Sequence, residues 1–522
     1  MAMGGISAGG KQSAAVAPLA SLLLRLTCGA GVLLLIAGQL YFAWYELHCA
    51  REALAYPFGL DYGEGEVWQQ ALLIPGPRMY GPIDHLPFIV FEYPPVYHLA
   101  ARAVMTLGVD PLAAGRAVSI AATAVILGSI AWLVVHGLAG RVGRSAQLLG
   151  AAAGALLPLT FRPLEHWFVL MKPDMLAIAL AFLGVALTVR ATRRPAWLML
   201  AMPAFVLSVY TKQNALAAPA AALAVLLVMK PRAAILAGLG GAVLGLGALA
   251  WLEWQTAGGF LRHIISYNVN ETWSLQQLVK QLRDQHIYAL LLAVAVIGLA
   301  MLWPRRAAAS RWPDAGTSGD WPTVVPIVSV WLLISLAMLL TTLGKTGSFD
   351  NYFIESMCIC AVPAGMLVGL GWQAVVAAAG HSETALRSGL IWVLLALATV
   401  PLAKRPPECG GWPGFGLAAI QENLVREIAA QDRPVVSEDM VLLLRAGRGV
   451  PIDPFLFREL ARTGTWDQRR FLDLIDARVF AFVVSYYDAN SWYTPEVLAA
   501  IHRAYPRVET RWPYVINYPD RS

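Results

Sequence analysis

Two kinds of stretch alternate along the chain: unbroken apolar runs, and short polar segments rich in charge, tyrosine and proline. A helix needs about 20 apolar residues to cross a bilayer. Such runs recur near 19–45, 113–136, 146–160, 174–190, 196–210, 214–229, 233–253, 286–303, 323–343, 352–372 and 386–402. Three of them (146–160, 196–210 and 214–229) are shorter than a comfortable span. Either their ends lie a few residues further out, or these helices end in a water-filled cavity. A polar segment follows the first run and closes on Tyr93-Pro94-Pro95. Paired prolines suit a helix start, so 96–107 reads as a short helix lying along the membrane surface. Beyond residue 402 the character changes: charge rises, and short strand-like runs alternate with amphipathic helices. Arg433–Ser437 and Val479–Ser485 read as buried strands, and Thr494–Tyr505 as a helix with Thr494 as N-cap and Pro495 at its first position. The pattern predicts a polytopic α-helical membrane domain over 1–402, with juxtamembrane helices in a first outer loop at 46–112, and a small α/β domain over 403–522.

Composition narrows the class. Of 522 residues, 58% are hydrophobic and 14% charged, whereas a soluble domain carries roughly 25% charged residues. A soluble enzyme, a disordered scaffold and a disulfide-knit secreted module are excluded. Five cysteines form neither a metal-binding spacing nor a disulfide framework. Cys28, Cys358 and Cys360 lie in apolar stretches, where cysteine behaves as a small hydrophobe. Cys49 and Cys409 are the pair able to meet outside the membrane, a bridge the sequence does not require. The Gly/Ala/Ser-rich N-terminus leads into an apolar run too long for a signal peptide, so it reads as a retained first span. No basic patch is interleaved with aromatics, which removes nucleic acid as a partner.

The placement of charge sets the expected orientation. With the N-terminus inside, the inner connections carry Arg141 and Arg144, then Arg190, Arg193 and Arg194, then Lys230 and Arg232, then Arg305, Arg306 and Arg311, and last Arg387. This is the positive-inside pattern of a multi-pass plasma (inner) membrane protein with a cytoplasmic N-terminus and an extracytoplasmic C-terminal domain. The alternate, outer segments hold the distinctive polar groups. They read Asp61-Tyr-Gly-Glu64-Gly-Glu66, Glu92-Tyr93-Pro94-Pro95, Arg162-Pro-Leu-Glu165-His166, Lys172-Pro173-Asp174, Lys212-Gln213-Asn214, and Lys345 through Asn351-Tyr352-Phe-Ile-Glu355. Ionisable groups at span ends are expensive and commonly line a cavity. Six such segments on one face predict an outer pocket that holds both acids and bases.

Asp61, Glu64 and Glu66 are spaced around two glycines, so a tight turn can present several carboxylates to one point, as general bases or simply as a solvated acidic loop. Lys172 and Asp174 flank Pro173, and Asp174 also suits a helix N-terminus by its dipole. Lys212-Gln213-Asn214 at a span start suits an anion, with snorkelling of Lys212 to headgroups as the plainer reading. Asn351 and Glu355 stand one turn apart. His85, His98 and His166 are too scattered for a metal set, and Asn270-Glu-Thr272 fits a glycosylation pattern short enough to arise by accident.

The series DYGEG, YPP, KPD, TKQ and NYFIE, with a first span, an acidic outer loop and an outer C-terminal domain, resembles the GT-C superfamily. That superfamily includes protein O-mannosyltransferases, lipid A aminoarabinose and galacturonic acid transferases, and oligosaccharyltransferase catalytic subunits. The likeness covers nearly the whole chain and is nearest to bacterial mannosyltransferase-like membrane proteins. It implies a GT-C-like fold of about 11 membrane helices, and a glycosyltransferase that moves a sugar from a polyprenyl-phosphate donor to a hydroxyl of a glycan, lipid or protein acceptor. It carries the catalytic base onto Asp61, with Glu64 as the second candidate, and the acid of the second outer loop onto Asp174. Arg162, Lys172, Lys212 and Lys345 become candidates for the lipid phosphate. Glu66, Glu92, Tyr93, Gln213, Asn351, Tyr352 and Glu355 complete the expected substrate site. Relatives with paired acids bind a divalent metal; here the second loop offers Lys-Pro-Asp, so a metal-independent reaction with no required cofactor is expected. Two other classes stand beside the enzyme: a transporter or flippase, whose site would sit at the midplane between repeats that this chain lacks, and an assembly scaffold, which needs no acidic first loop.

Overall fold

The computed structural model describes residues 10–268, 273–303, 321–345, 347–377, 409, 416–487 and 492–520. The first helix, α1 (Gly10–Ala55), is followed by α2 (Gly63–Leu73) and α3 (Val96–Met105) in the loop that leads to α4 (Pro111–Leu138), then by α5 (Arg144–Leu156) and α6 (Arg162–Trp167). Next come α7 (Asp174–Ala191), α8 (Leu198–Val209), α9 (Ala217–Met229), α10 (Pro231–Gln255), α11 (Leu275–Asp284), α12 (His286–Leu302), α13 (Trp321–Thr342) and α14 (Tyr352–Ala377). Among the described residues, six helices are long and apolar enough to cross a membrane, and α11 with α12 forms a further pair bent by 79°. The apolar window of α1 is Gly29–Ala55, about ten residues beyond the 19–45 read from the sequence. The helix continues through polar positions until the Tyr56-Pro57 break, because a residue before proline is pushed out of the helical region. The three short runs are short helices, α5, α8 and α9. The expected span at 386–402 lies outside the described residues, as do Arg305, Arg306, Arg311, Arg387, the glycosylation pattern at 270–272 and the 402/403 boundary.

The bundle centres on α4, α5, α7 and α14. Where α5 crosses α14 the backbones touch: a Cβ on Gly150 would stand 2.6 Å from the Gly365 carbonyl oxygen, and one on Gly365 would stand 2.8 Å from the Gly154 Cα. Small residues allow that approach in a membrane, where dispersion rather than water exclusion drives helix association.

The C-terminal domain adds α15 (Gly416–Ala429), α16 (Met440–Arg445), α17 (Pro454–Arg462), α18 (Arg469–Asp476) and α19 (Pro495–Ala504) around a four-stranded sheet. Strands β1 (Val436–Ser437), β2 (Val483–Tyr486), β3 (Arg507–Arg511) and β4 (Tyr514–Tyr518) lie in the order β1-β2-β4-β3; β1 and β2 are parallel, the other pairs antiparallel. Both expected strands are present but short. The β3–β4 hairpin has no apolar signature in the sequence, because its exposed strand carries Arg507, Glu509 and Arg511. Thr494 caps α19 as expected, its Oγ1 accepting from the Val497 N–H at 3.2 Å.

The domain sits directly on the loop between α1 and α4. Gln69 exchanges two hydrogen bonds with the Val450 backbone, the Phe88 N–H donates to the Pro451 carbonyl, and Arg445 pairs with Asp110. Val67, Trp68 and Tyr97 share an apolar core with Met440, Leu442, Phe482 and Tyr514. A disulfide joins Cys49 to Cys409; the sequence leaves this pairing open because the two cysteines are 360 positions apart.

Candidate active site

The loop between α1 and α4 is fixed by a buried ion pair. Arg116, a lone charge in α4, donates from Nε and Nη2 to the two oxygens of Glu64 at 2.9 and 2.7 Å. Its other N–H groups go to the carbonyls of Ala53, Tyr56 and Phe58. All five guanidinium donors are used. Glu64 also accepts from the Leu60 N–H at 2.7 Å and the Met171 N–H at 2.8 Å. Its four acceptor positions are therefore taken, and its side chain has no exposed surface. This arrangement favours Glu64 as a structural clamp over Glu64 as a second base, because each of its acceptor positions is engaged. Its structural consequence is larger, because Leu60 precedes Asp61 and Met171 precedes Lys172, so one carboxylate registers both loops.

Held this way, Lys172 Nζ lies 3.2 Å from Asp61 Oδ1 and 5.4 Å from the centre of the Tyr62 ring. Gly63 makes the approach feasible: a Cβ there would overlap Lys172 Nζ. Asp61 also accepts from the Gly63 N–H at 3.0 Å, and its side chain keeps 21% of its surface open, whereas Glu64 and Glu66 in the same turn are buried. Burial by itself would lower the Lys172 ammonium, but Asp61, Glu66 and Glu92 outweigh it and hold it above its ordinary value. Burial first, then Glu92 and Asp453, push the Glu66 carboxyl well up. Gln70 donates to Glu66 at 2.6 Å and His98 Nε2 meets the other end of that amide at 2.8 Å. Since Gln70 Nε2 is already a donor to Glu66 and to the Val90 carbonyl, its oxygen accepts and His98 Nε2 carries the proton. Asp453, from the C-terminal domain, is pushed up to about 6 by burial.

A second group lies beside the first. Asp174 Oδ1 accepts from Lys212 Nζ at 2.6 Å and from Asn351 Nδ2 at 2.8 Å, and Lys212 Nζ stands 5.2 Å from the centre of the Tyr352 ring. These residues line a cavity of about 560 Å³, its open mouth included, with Asn214, Ser335 and Glu355. Glu355 accepts from Trp331 Nε1 at 2.9 Å. Burial first, then Glu92, Asp174 and Glu66, raise the Tyr93 phenol well above its ordinary value.

Most of the expected residues therefore converge, and the exceptions have physical reasons. Gln213 is a tether, its amide donating to the carbonyls of Glu92 and Ile264. The Lys212–Asn214 segment does not start a helix, because α9 begins at Ala217; Lys212 is held by Asp174 instead of a helix terminus. Arg162 is exposed in the first turn of α6 and does not line the cavity. Lys345 shapes a turn through its backbone, its carbonyl accepting from the Ser348 N–H and hydroxyl, and is likewise absent from the lining. Arg116 and Asp453 are additions that the sequence reading missed. An arginine within an apolar run was the available signal for the first; nothing local marks the second.

Among the described residues no group of three or more His, Cys, Asp or Glu side chains is arranged to hold a metal ion. The carboxylates near Asp61 already face the Lys172 ammonium, a poor fit to a divalent cation, so no step below runs through one.

Neither a family model nor a curated protein matches the sequence. Solved structures do. ArnT from Cupriavidus metallidurans bound to undecaprenyl phosphate superposes with a TM-score of 0.53 at 14% identity, over 92% of this chain and 97% of that one. Its apo state gives a TM-score of 0.55 over the same shares. The apo oligosaccharyltransferase of Archaeoglobus fulgidus gives 0.51 at 11% identity, over 88% of this chain and 73% of that one. The chain is an integral, multi-pass membrane protein with the GT-C fold.

Proposed function

We propose that the chain is a glycosyltransferase that moves a sugar from a polyprenyl-phosphate donor to an acceptor hydroxyl at the outer face of the membrane. One observation carries the reading: in this fold, a partly exposed Asp61 is locked beside Lys172, next to a cavity whose lining includes Lys212 and opens among membrane helices. ArnT of this fold has been seen with undecaprenyl phosphate, the kind of carrier lipid that a donor of the class proposed releases.

The chemistry follows from charge. Asp61 takes the proton of the acceptor hydroxyl as its oxygen attacks the anomeric carbon. The bond to the lipid phosphate breaks on the opposite side, and the product is inverted. Negative charge grows on the departing phosphate, where preplaced cations lower the barrier most. Lys212 is suited to meet that charge, since an ammonium has three donors and one of them goes to Asp174. Glu66, Glu92 and Tyr93 position the acceptor. The acceptor is a hydroxyl of an envelope glycan, lipid or protein, met beneath the C-terminal domain. A plasma (inner) membrane protein with its N-terminus in the cytoplasm agrees with the Cys49–Cys409 disulfide, since such bonds persist in oxidising compartments.

The test uses the purified full chain in lipid nanodiscs with radiolabelled polyprenyl-phosphate sugars and envelope acceptors. Release of polyprenyl phosphate with label transferred in the inverted configuration is expected. Failure to bind or consume any donor, or translocation of intact donor in liposomes without cleavage, overturns the proposal.

A further inference from the structure

The cavity beside Asp174 has two walls of helical face. One is Asp174, Ala177, Ile178 and Ala181 of α7; the other is Ser335, Met338, Leu339 and Thr342 of α13. Both follow the three- and four-residue spacing that aligns side chains on one face. The start of α14 supplies Asn351, Tyr352 and Glu355. The α7 wall is apolar beyond Asp174, whereas the α13 wall carries Ser335 and Thr342, so polar groups reach about two turns into the cavity.

The polar end is rich in acceptors. Asp174 Oδ2 and Asn351 Oδ1 are buried and have no hydrogen-bond partner, although Asp174 as a residue is only 4% exposed. Glu355 adds a second carboxylate. Against these, the described lining residues offer a single ammonium, Lys212, already bonded to Asp174; Asn214, Ser335 and Tyr352 add neutral groups only. A buried acceptor without a donor is costly, so these atoms await N–H or O–H groups from a ligand. A ligand carboxylate would instead meet two carboxylates, and the cation is engaged by Asp174 and, in the glycosyl-transfer reading, by the phosphate.

We propose that this cavity selects the transferred glycosyl group by charge: it takes an uncharged or amine-bearing sugar, whose hydroxyl or ammonium donors satisfy Asp174 and Asn351, and rejects a uronic acid. The proposal rests on the glycosyl-transfer reading and names the substrate class of that site.

Three donors with the same prenyl chain separate the outcomes: mannosyl, glucosaminyl and galacturonosyl polyprenyl phosphate. Each is presented to the wild-type chain in nanodiscs, with binding read by native mass spectrometry and cleavage by released polyprenyl phosphate. The neutral or amino donor should be bound and cleaved at least about 100-fold better than the uronosyl donor, the order expected when like charges meet in a site. Glu355→Gln, checked for an unchanged melting temperature, should narrow that ratio about tenfold by removing one repelling charge. Uronosyl donor used as well as the others overturns the charge selection and leaves glycosyl transfer standing. No use of any donor overturns both.

Discussion

Replacing Glu64 distinguishes a structural clamp from a catalytic base. In the clamp, Glu64 and Arg116 are both fully buried, and between them they make two bonds to each other, two to backbone N–H groups and three to backbone carbonyls. Removing one partner of such a pair leaves the other charge buried and uncompensated, at a cost of about 3–5 kcal/mol. That is a large part of the roughly 5–15 kcal/mol that holds a typical domain folded. Glu64→Leu and Arg116→Met should each lower the melting temperature of the detergent-solubilised protein sharply. The double variant should lose clearly less than the sum, because no orphan charge remains, and a double-mutant cycle should give a coupling of about 0.5–3 kcal/mol. Glu64→Gln, which keeps the shape but loses charge and turns acceptors into donors that clash with the Leu60 or Met171 N–H, should fall between. An unchanged melting temperature in Glu64→Gln together with abolished transfer would rule out the clamp and return Glu64 to the role of base.

Other consequences are smaller but independent. Gly63→Ala would place a methyl against Lys172 Nζ; since the end of a lysine can swing away, stability should change by less than about 1 kcal/mol, while transfer falls strongly because Lys172 leaves Asp61. The Asp453 contribution to wild-type stability should fall as pH rises from the ordinary carboxylate range to about 6, because over that window folded Asp453 keeps a proton that the unfolded chain has released. Asp453→Asn keeps the N-cap of α17 and removes that share of the slope, leaving the share of the raised Glu66, so it should be more stable than wild type at neutral pH by on the order of 2–3 kcal/mol and indistinguishable near pH 4. A stability difference independent of pH would count against the assignment.

Much of this was legible in the sequence because membrane helices are written in long apolar runs, and ten of the expected spans correspond to described helices. The convergence of Asp61, Lys172, Asp174, Lys212, Asn351 and Glu355 was also legible, since each is an ionisable or amide group in a polar segment between apolar runs. What a linear reading does not give is which carboxylate is free. Asp61 and Glu64 both lie beside the same glycines, and only Arg116 from α4, 52 positions away, distinguishes the carboxylate engaged by the fold. The docking of the C-terminal domain was hidden for the same reason: Gln69 with Val450 and Cys49 with Cys409 pair across more than 350 positions. Arg162 and Lys345 show the converse, because a cation at a span end can equally face water or terminate a turn.

The proposed reaction stands on Asp61 removing the acceptor's proton. Its decisive check is single-turnover cleavage of a bound polyprenyl-phosphate sugar, wild type against Asp61→Asn. Asparagine can keep the bond from the Gly63 N–H but gives up the charge that faces Lys172, so melting should fall by less than in Glu64→Leu, donor binding should persist, and transfer should slow by about 100-fold or more. Transfer at the wild-type rate in Asp61→Asn would remove Asp61 from the chemistry.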